Sequence, residues 1–377
     1  MPKNIWCLVL KQTKTYSIDL KSLKQQNATE LDNDEALEMR FGIWTPLPHS
    51  VRIEADMAIA INDLSSKGQG GKEDRSFSLA LSVIKKAEKL GFETTLIAER
   101  YIGPDLEAWI MASAMVAETK SIELMVAAHP GILHPQIVAK MGASLDRISG
   151  GRFAVNVVNG WYKKEFEVFG NGGWLDRSTE RYARMGEFMH ILRGLWCENS
   201  FSFNGAHFQC EDAVLPIKTL QLPNPPIYAA SGSKEGMLEI AKYADVWFAN
   251  YEPGIKNAKK NIEKISADIK EMKRLSCDLG RELKYAISAH VICKETRKEA
   301  LQHASALEAY GSRDQVSAVA AKALGAGLIG TPEDIVSRLI QLKNIGIEIP
   351  MLHFHPMMEG METFAREIIP RLSGIDQ

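Results

Sequence analysis

Eight times along this chain, a short β-rich run is followed by a stretch with helical spacing of apolar residues. The strand candidates are residues 40–46 (RFGIWTP), 93–98, 122–128, 152–159, 227–230, 245–250, 283–293 and 350–355. Helical patterns follow over 77–90, 105–119, 135–148, a longer region ending near Trp196, then 234–243, 256–279, 296–326, 332–345 and 361–372. Repeated βα units need a parallel sheet, and eight of them favour a closed (β/α)8 TIM barrel. An open doubly wound sheet is the alternative, weakened because no GxGxxG follows the first strand. The barrel would occupy residues 40–377 with insertions near 162–224 and 296–330, the second of which could form a lid. Within the first insertion, residues 200–209 (SFSFNGAHFQ) centre on Asn204-Gly205, a hairpin signal. Residues 1–39, lysine-rich and then acidic, read as an extension, and 65–73 (SSKGQGGKE) as a flexible loop.

Composition removes several function classes. Hydrophobic residues make up 45% of the chain and charged residues 24%, as in an ordinary globular protein. A formal charge of −2 gives no electrostatic case for nucleic acid or an anionic membrane. The five cysteines are scattered and never form CxxC, which suits free thiols in a reducing, cytoplasmic setting. No run approaches the ~20 apolar residues of a membrane helix.

The fourth strand is the most informative. Along 152–161, Phe153, Val155 and Val157 share one face, and Ala154, Asn156 and Val158 the other. Apolar residues on both faces mean burial on both faces, so the Asn156 amide needs a partner inside the protein. Asn159, Gly160 and Trp161 follow, then Glu165 and Glu180-Arg181-Tyr182, so an amide, an indole, a carboxylate, a guanidinium and a phenol crowd one strand exit. In a TIM barrel the active site lies at the C-terminal strand ends. There, His129 ends the third strand and Ser231-Gly232-Ser233 the fifth. The seventh aligns Ala286, Ser288 and His290 on one face, and the eighth places His353 and His355 on one face. Ser231 and Ser233 open a helix whose free amides suit a phosphate, or whose first turn simply needs a serine cap. The His353-x-His355 pair raises a metal reading, but the first strand offers no further ligands, so no metal is expected.

Together these residues resemble the bacterial-luciferase-like flavin monooxygenases, in the two-component branch with alkanesulfonate, dimethylsulfone and pyrimidine monooxygenases. The resemblance rests on 134–166 (HPQIVAKMGASLDRISGGRFAVNVVNGWYKKEF), ERY at 180–182, FSFNGAHF at 201–208, SGSKEGM at 231–237, GLIGTPEDIV at 327–336 and LHF at 352–354. It implies a luciferase-like TIM barrel that holds reduced FMN through Asn156, Glu165, Arg181, Tyr182 and Ser233, with Glu99 and Arg100 as a flavin-side pair. It further implies a separate NAD(P)H:FMN reductase, addition of O2 at flavin C4a, oxygenation of a small organic substrate by the resulting peroxyflavin, and a homodimer or homotetramer. His290, His353 and His129 become candidates for proton transfer or substrate hydrogen bonds. Two departures bear on the substrate. Ser288 stands where sulfonate monooxygenases carry an arginine two residues before the histidine matched by His290, and 99–109 (ERYIGPDLEAW) lacks their cysteine. Without that guanidinium, a neutral or sulfone-like substrate is favoured over a sulfonate. An F420-dependent oxidoreductase of the same fold and a non-catalytic flavin-binding protein are the alternatives.

Overall fold

The computed structural model describes residues 39–47, 76–102, 105–160, 162–168, 173–311 and 323–373. The expected extension over 1–39 (all but its last residue), the loop at 65–73 and Trp161 lie outside these residues. Eight parallel strands close on themselves: β1 (Gly42–Trp44), β2 (Thr94–Ile97), β3 (Glu123–Ala128), β4 (Phe153–Val157), β7 (Ile227–Ala230), β8 (Val246–Phe248), β9 (Lys284–Cys293) and β11 (Ile349–Phe354). The β8–β9 pairing shuts the ring. The chain is therefore a (β/α)8 TIM barrel, and the open-sheet alternative is excluded.

Strand parity sorts the side chains. Leu96, Met125, Ala154, Tyr228, Val246, Phe248, Ala286, Ile349 and Met351 pack inside the barrel. Their sequence neighbours Ile97, Val126, Phe153, Val155, Ile227, Trp247, Ile287 and Leu352 pack outward in the larger core under the helices. Each fully buried aromatic or aliphatic side chain of this kind contributes about 1.5–3 kcal/mol. On the inward face of β1 stands Gly42, where any Cβ would collide with Met351; the glycine lets that methionine fill the barrel centre.

Helices α1 (Ser76–Lys89), α2 (Ala108–Glu118) and α3 (Pro135–Ser149) cover the first strands. Helix α3 ends where Gly150 and Gly151 take left-handed angles, φ 73° and 88°, turning the chain straight into β4. Between β4 and β7 the chain adds α4 (Lys163–Val168), the 20-residue α5 (Ser178–Cys197) and an antiparallel hairpin of β5 (Phe201–Asn204) and β6 (Gln209–Ala213). The hairpin loop is longer than the Asn-Gly signal suggests, closing from Gly205 N to Phe208 O. It is pinned by the Glu187 carboxylate, which accepts from the amides of Ala206, His207 and Phe208.

After β7 come α6 (Lys234–Tyr243) and α7 (Ala258–Asp278). The excursion after β9 contains α8 (Arg297–Gly311), a three-residue strand β10 (Leu328–Gly330) and α9 (Pro332–Asn344). Strand β10, absent from the sequence reading, pairs with the upper end of β9, Leu328 opposite Val291. The expected final helix at 361–372 starts earlier and is divided into α10 (Met357–Glu367) and α11 (Ile369–Ser373). Pro370 lacks an amide proton and so cannot continue the hydrogen-bond ladder of the first helix. No helix among the described residues is long and apolar enough to cross a membrane.

Candidate active site

The sequence-expected residues gather at the C-terminal end of the barrel in three groups. The first lies at the exits of β2 and β3. Glu99 is buried, and its carboxylate accepts from the Ala108 amide, the first of α2, at 2.8 Å. Burial outweighs that bond and raises its pKa to about 7. Arg100 and Glu165, which resemblance assigns separately to the flavin, meet each other here: Nε to Oε1 at 2.8 Å, with side chains 8% and 4% exposed. This buried ion pair joins the β2 exit to α4.

His129 is 4% exposed, its ring edge-on to Tyr101 and to Phe166 at 5.5 and 5.9 Å between centres. Burial, helped by the Arg100 cation, lowers its pKa to about 4, so it is neutral at pH 7. Phe166 carries the aromatic contact on to Trp174 at 5.4 Å, and the Arg181 guanidinium lies 4.2 Å from the Trp174 ring centre. Arg181 also donates to the carbonyls of Leu175 and Asp176. Arg184, which the sequence reading passed over, is buried one helical turn further along α5 and donates to Gly173 O at 2.9 Å. Its i, i+3 spacing from Arg181 was its only sequence signal.

The second group is the β7 exit. The Ser231 hydroxyl accepts from the Ser233 amide at 3.1 Å. In turn, the Ser233 hydroxyl accepts from Gly236 N at 3.2 Å, capping α6. Lys234 and Glu235 amides are left at this helix end without intrahelical acceptors. Tyr182 reaches the same spot from α5: a Cβ on Gly236 would lie 2.6 Å from its ring and would strike Ser231. The ERY and SGS motifs are thus neighbours in space. Asn156, on the inward parity of β4, stands in register with Tyr228 of β7.

Histidines form the third group. His290 of β9 and His353 of β11 are directly paired in register, with rings stacked 5.1 Å apart. His355 joins them, its Nε2 2.8 Å from His290 Nδ1. His290, His353 and His355 are 9%, 5% and 2% exposed. Burial first, then the neighbouring His355 and His353, holds His290 well below the usual histidine range. An imidazole near its ordinary pKa is therefore not what β9 presents; His290 works as a neutral ring. Among the described residues, no group of three or more His, Cys, Asp or Glu side chains could hold a metal ion.

Four buried polar atoms without a hydrogen-bond partner among the described residues lie at this end, His129 Nδ1, Asn159 Oδ1, Arg181 Nε and Arg184 Nε; Thr94 Oγ1, Gln136 Oε1 and Asn224 Oδ1 lie outside this group. Each such atom costs about 1–3 kcal/mol while unmet. Guanidinium donors call for an anionic oxygen, and the amide oxygen calls for an N–H. A phosphate together with a ring carrying carbonyl and imide groups has that inventory, so the residues present fit FMN.

Comparison with known proteins agrees in extent and in kind. A sequence profile of luciferase-like monooxygenases matches residues 39–348. Over 324 residues the chain is 29% identical to the FMNH2-dependent dimethylsulfone monooxygenase of Pseudomonas putida, covering 77% of this chain and 86% of that protein. For the protein of the same description from Pseudomonas fluorescens (strain Pf0-1), identity is 27% over 317 residues, with coverages of 75% and 84%. Among solved structures, a monooxygenase from Streptomyces bottropensis superposes with a TM-score of 0.67 at 21% identity, over 88% of this chain and 99% of that one. With a barrel of this topology and a profile match spanning nearly all of it, the chain belongs to the luciferase-like monooxygenase family.

Proposed function

We propose that this enzyme is the oxygenase component of a two-component system: it takes reduced FMN from a separate NAD(P)H:FMN reductase and uses O2 to oxygenate a small organic molecule. The observation that carries this reading is the set of unmet buried donors and acceptors at the barrel mouth, next to a serine-capped helix start. Bound reduced FMN would supply the electrons that activate O2. Arg181, Tyr182 and the Ser231–Ser233 helix start would hold its phosphate, the guanidinium providing the charge and the helix end the amides. Asn156 and Asn159 would orient the ring system, and the Arg100–Glu165 pair with Glu99 would line the same site. His129, neutral at pH 7, offers that site a hydrogen bond without a competing positive charge. Around the reacting end, His290 and His353 hold or move a proton, and the excursion after β9 helps exclude water.

The substrate side favours an uncharged organosulfur compound of the sulfone type over a sulfonate. Ser288 occupies the inward position two residues before His290, so no cation stands at that position of β9 to neutralise a sulfonate. A related nitrogen-containing compound is the next candidate. A homodimer or homotetramer is in keeping with Ile110 and Ile137, which stand 70% and 55% exposed on neighbouring helices α2 and α3.

Two measurements test the reading. Anaerobic titration with reduced and oxidised FMN should give saturable binding, tighter for the reduced form. A coupled assay with an FMN reductase and NADH, run over sulfones, sulfonates, pyrimidines and aminopolycarboxylates with mass-spectrometric detection, should give oxygen uptake matched by product. Binding of F420 with O2-independent turnover, or peroxide release that no substrate alters, would overturn it.

A further inference from the structure

Two buried imidazoles, 65 residues apart in sequence, share one hydrogen bond in this barrel. His290 comes from the inward parity of β9, and His355 is the first residue after β11, with Nε2 placed 2.8 Å from His290 Nδ1. His353 packs on both rings, at 5.1 Å from His290 and 4.8 Å from His355. On the far side His303 of α8 approaches His355, with ring centres 6.4 Å apart. A hydrogen bond between two imidazole nitrogens requires one N–H and one lone pair. Whichever ring donates, the tautomer of the other follows, because each neutral imidazole carries a single proton.

A buried, crowded His290 does not hold a stable positive charge. To donate a proton toward bound substrate while neutral, it must carry that proton on Nε2, which requires Nδ1 to be an acceptor. His355 stands at Nδ1. We infer that His355 is a positioning residue that donates its Nε2–H to His290 Nδ1 and thereby fixes His290 as the Nε2–H tautomer, a neutral donor on the opposite side of the ring. As a neutral donor, His290 gives bound substrate a hydrogen bond from Nε2–H and keeps its proton, so the dyad stays at two protons and zero net charge. This inference rests on the proposed role of His290 at the substrate.

The test combines spectroscopy with kinetics on the full-length protein. In 15N-histidine-labelled protein at pH 7, long-range 1H–15N spectra are assigned with His290→Gln and His355→Gln. They should show a protonated-type Nε2 and an unprotonated-type Nδ1 on His290. His355→Phe should convert His290 to a tautomer mixture and lower kcat tenfold or more, with substrate KM and FMN affinity within twofold. His355→Gln, whose amide can still donate to Nδ1, should recover at least half of kcat and keep the His290 signature. A proton on His290 Nδ1 in the wild type, an unchanged signature in His355→Phe, or a Gln variant no better than Phe would overturn the inference. If His355→Phe does not fold, the wild-type and Gln spectra decide. Absence of FMN binding would defeat the cofactor reading alone, since the tautomer is read without flavin.

Discussion

At the N-terminal end of the barrel, Tyr228 donates its hydroxyl to Glu123 at 3.2 Å. Arg40 lies 3.8 Å from the same carboxylate and 3.1 Å from Glu93. At the C-terminal end, His129, Asn159, Arg181 and Arg184 each leave a buried polar atom unmet. Both ends bring a phenol or imidazole, a carboxylate and a guanidinium together, with the ion pairs half-buried below and buried above. Below, the phenol, the carboxylate and the guanidinium meet one another; above, four buried polar atoms find no partner among the described residues. Buried polarity by itself therefore says little about function. What separates these two groups of residues is whether their members hydrogen-bond one another.

The sharpest way to break this contrast is at the buried ion pair of the upper end. Arg100→Met should destabilise the protein by about 3–5 kcal/mol, because Glu165 is left buried without its cation. Adding Glu165→Gln should restore most of that loss in denaturant unfolding. A double-mutant cycle showing simple additivity would mean that the two residues face a ligand and not each other.

Next is the pH dependence of stability. Glu99 has a folded pKa raised to about 7 from 4.5, so the folded state holds the proton more tightly. Its contribution is fully present below pH 4.5 and is lost as pH rises to 7, by roughly 3 kcal/mol. His129, lowered to about 4 from 6.5, acts with the opposite sign: its contribution is present above pH 6.5 and lost as pH falls towards 4. Between about 4.5 and 6.5 the two oppose each other. In Glu99→Gln, stability measured by chemical unfolding should climb with pH across that window more steeply than in the wild type.

Smaller effects should separate the two ends directly. Glu123→Ala strands the Tyr228 hydroxyl, which is 1% exposed, and should lower stability by about 2 kcal/mol while FMN affinity stays within twofold. Asn159→Ala should do the reverse. Stability should hold or rise by a few tenths of a kcal/mol, since an unmet buried oxygen is removed, and FMN affinity should fall about tenfold, equivalent to about 1.4 kcal/mol. Equal stability losses in both variants would erase the distinction.

The sequence made the barrel legible because period-2 and period-3.6 patterns alternate cleanly and the helix stops are local: Gly91 and the Gly150-Gly151 pair carry their own left-handed angles. It did not reveal β10, since three residues of GLIG are too few to show a period and their strand character comes from docking on β9. The final helix was read as one piece because Ile368-Ile369 continue its apolar pattern across the break before Pro370. For the site, motif positions brought the right residues to one end, but pairings between distant segments carry no local signal. Arg100 with Glu165, 65 positions apart, and His290 with His355, also 65 apart, were each read singly. His303 and Arg184 were missed for the same reason: they sit on ordinary-looking helices, and only the fold shows what they approach.

Strand β9 runs ten residues where the other barrel strands run three to six. Past the point where β8 stops at Phe248, its upper half gains a new neighbour in β10 and keeps β11 on the other side. One side of the opening is thus a raised parapet of hydrogen-bonded sheet, while the side facing it is built from connecting segments. The imidazole at position 290 is thus mounted on a strand paired with β11, while Arg100, Glu165 and Arg181 stand away from it on the β2 exit and on helices α4 and α5.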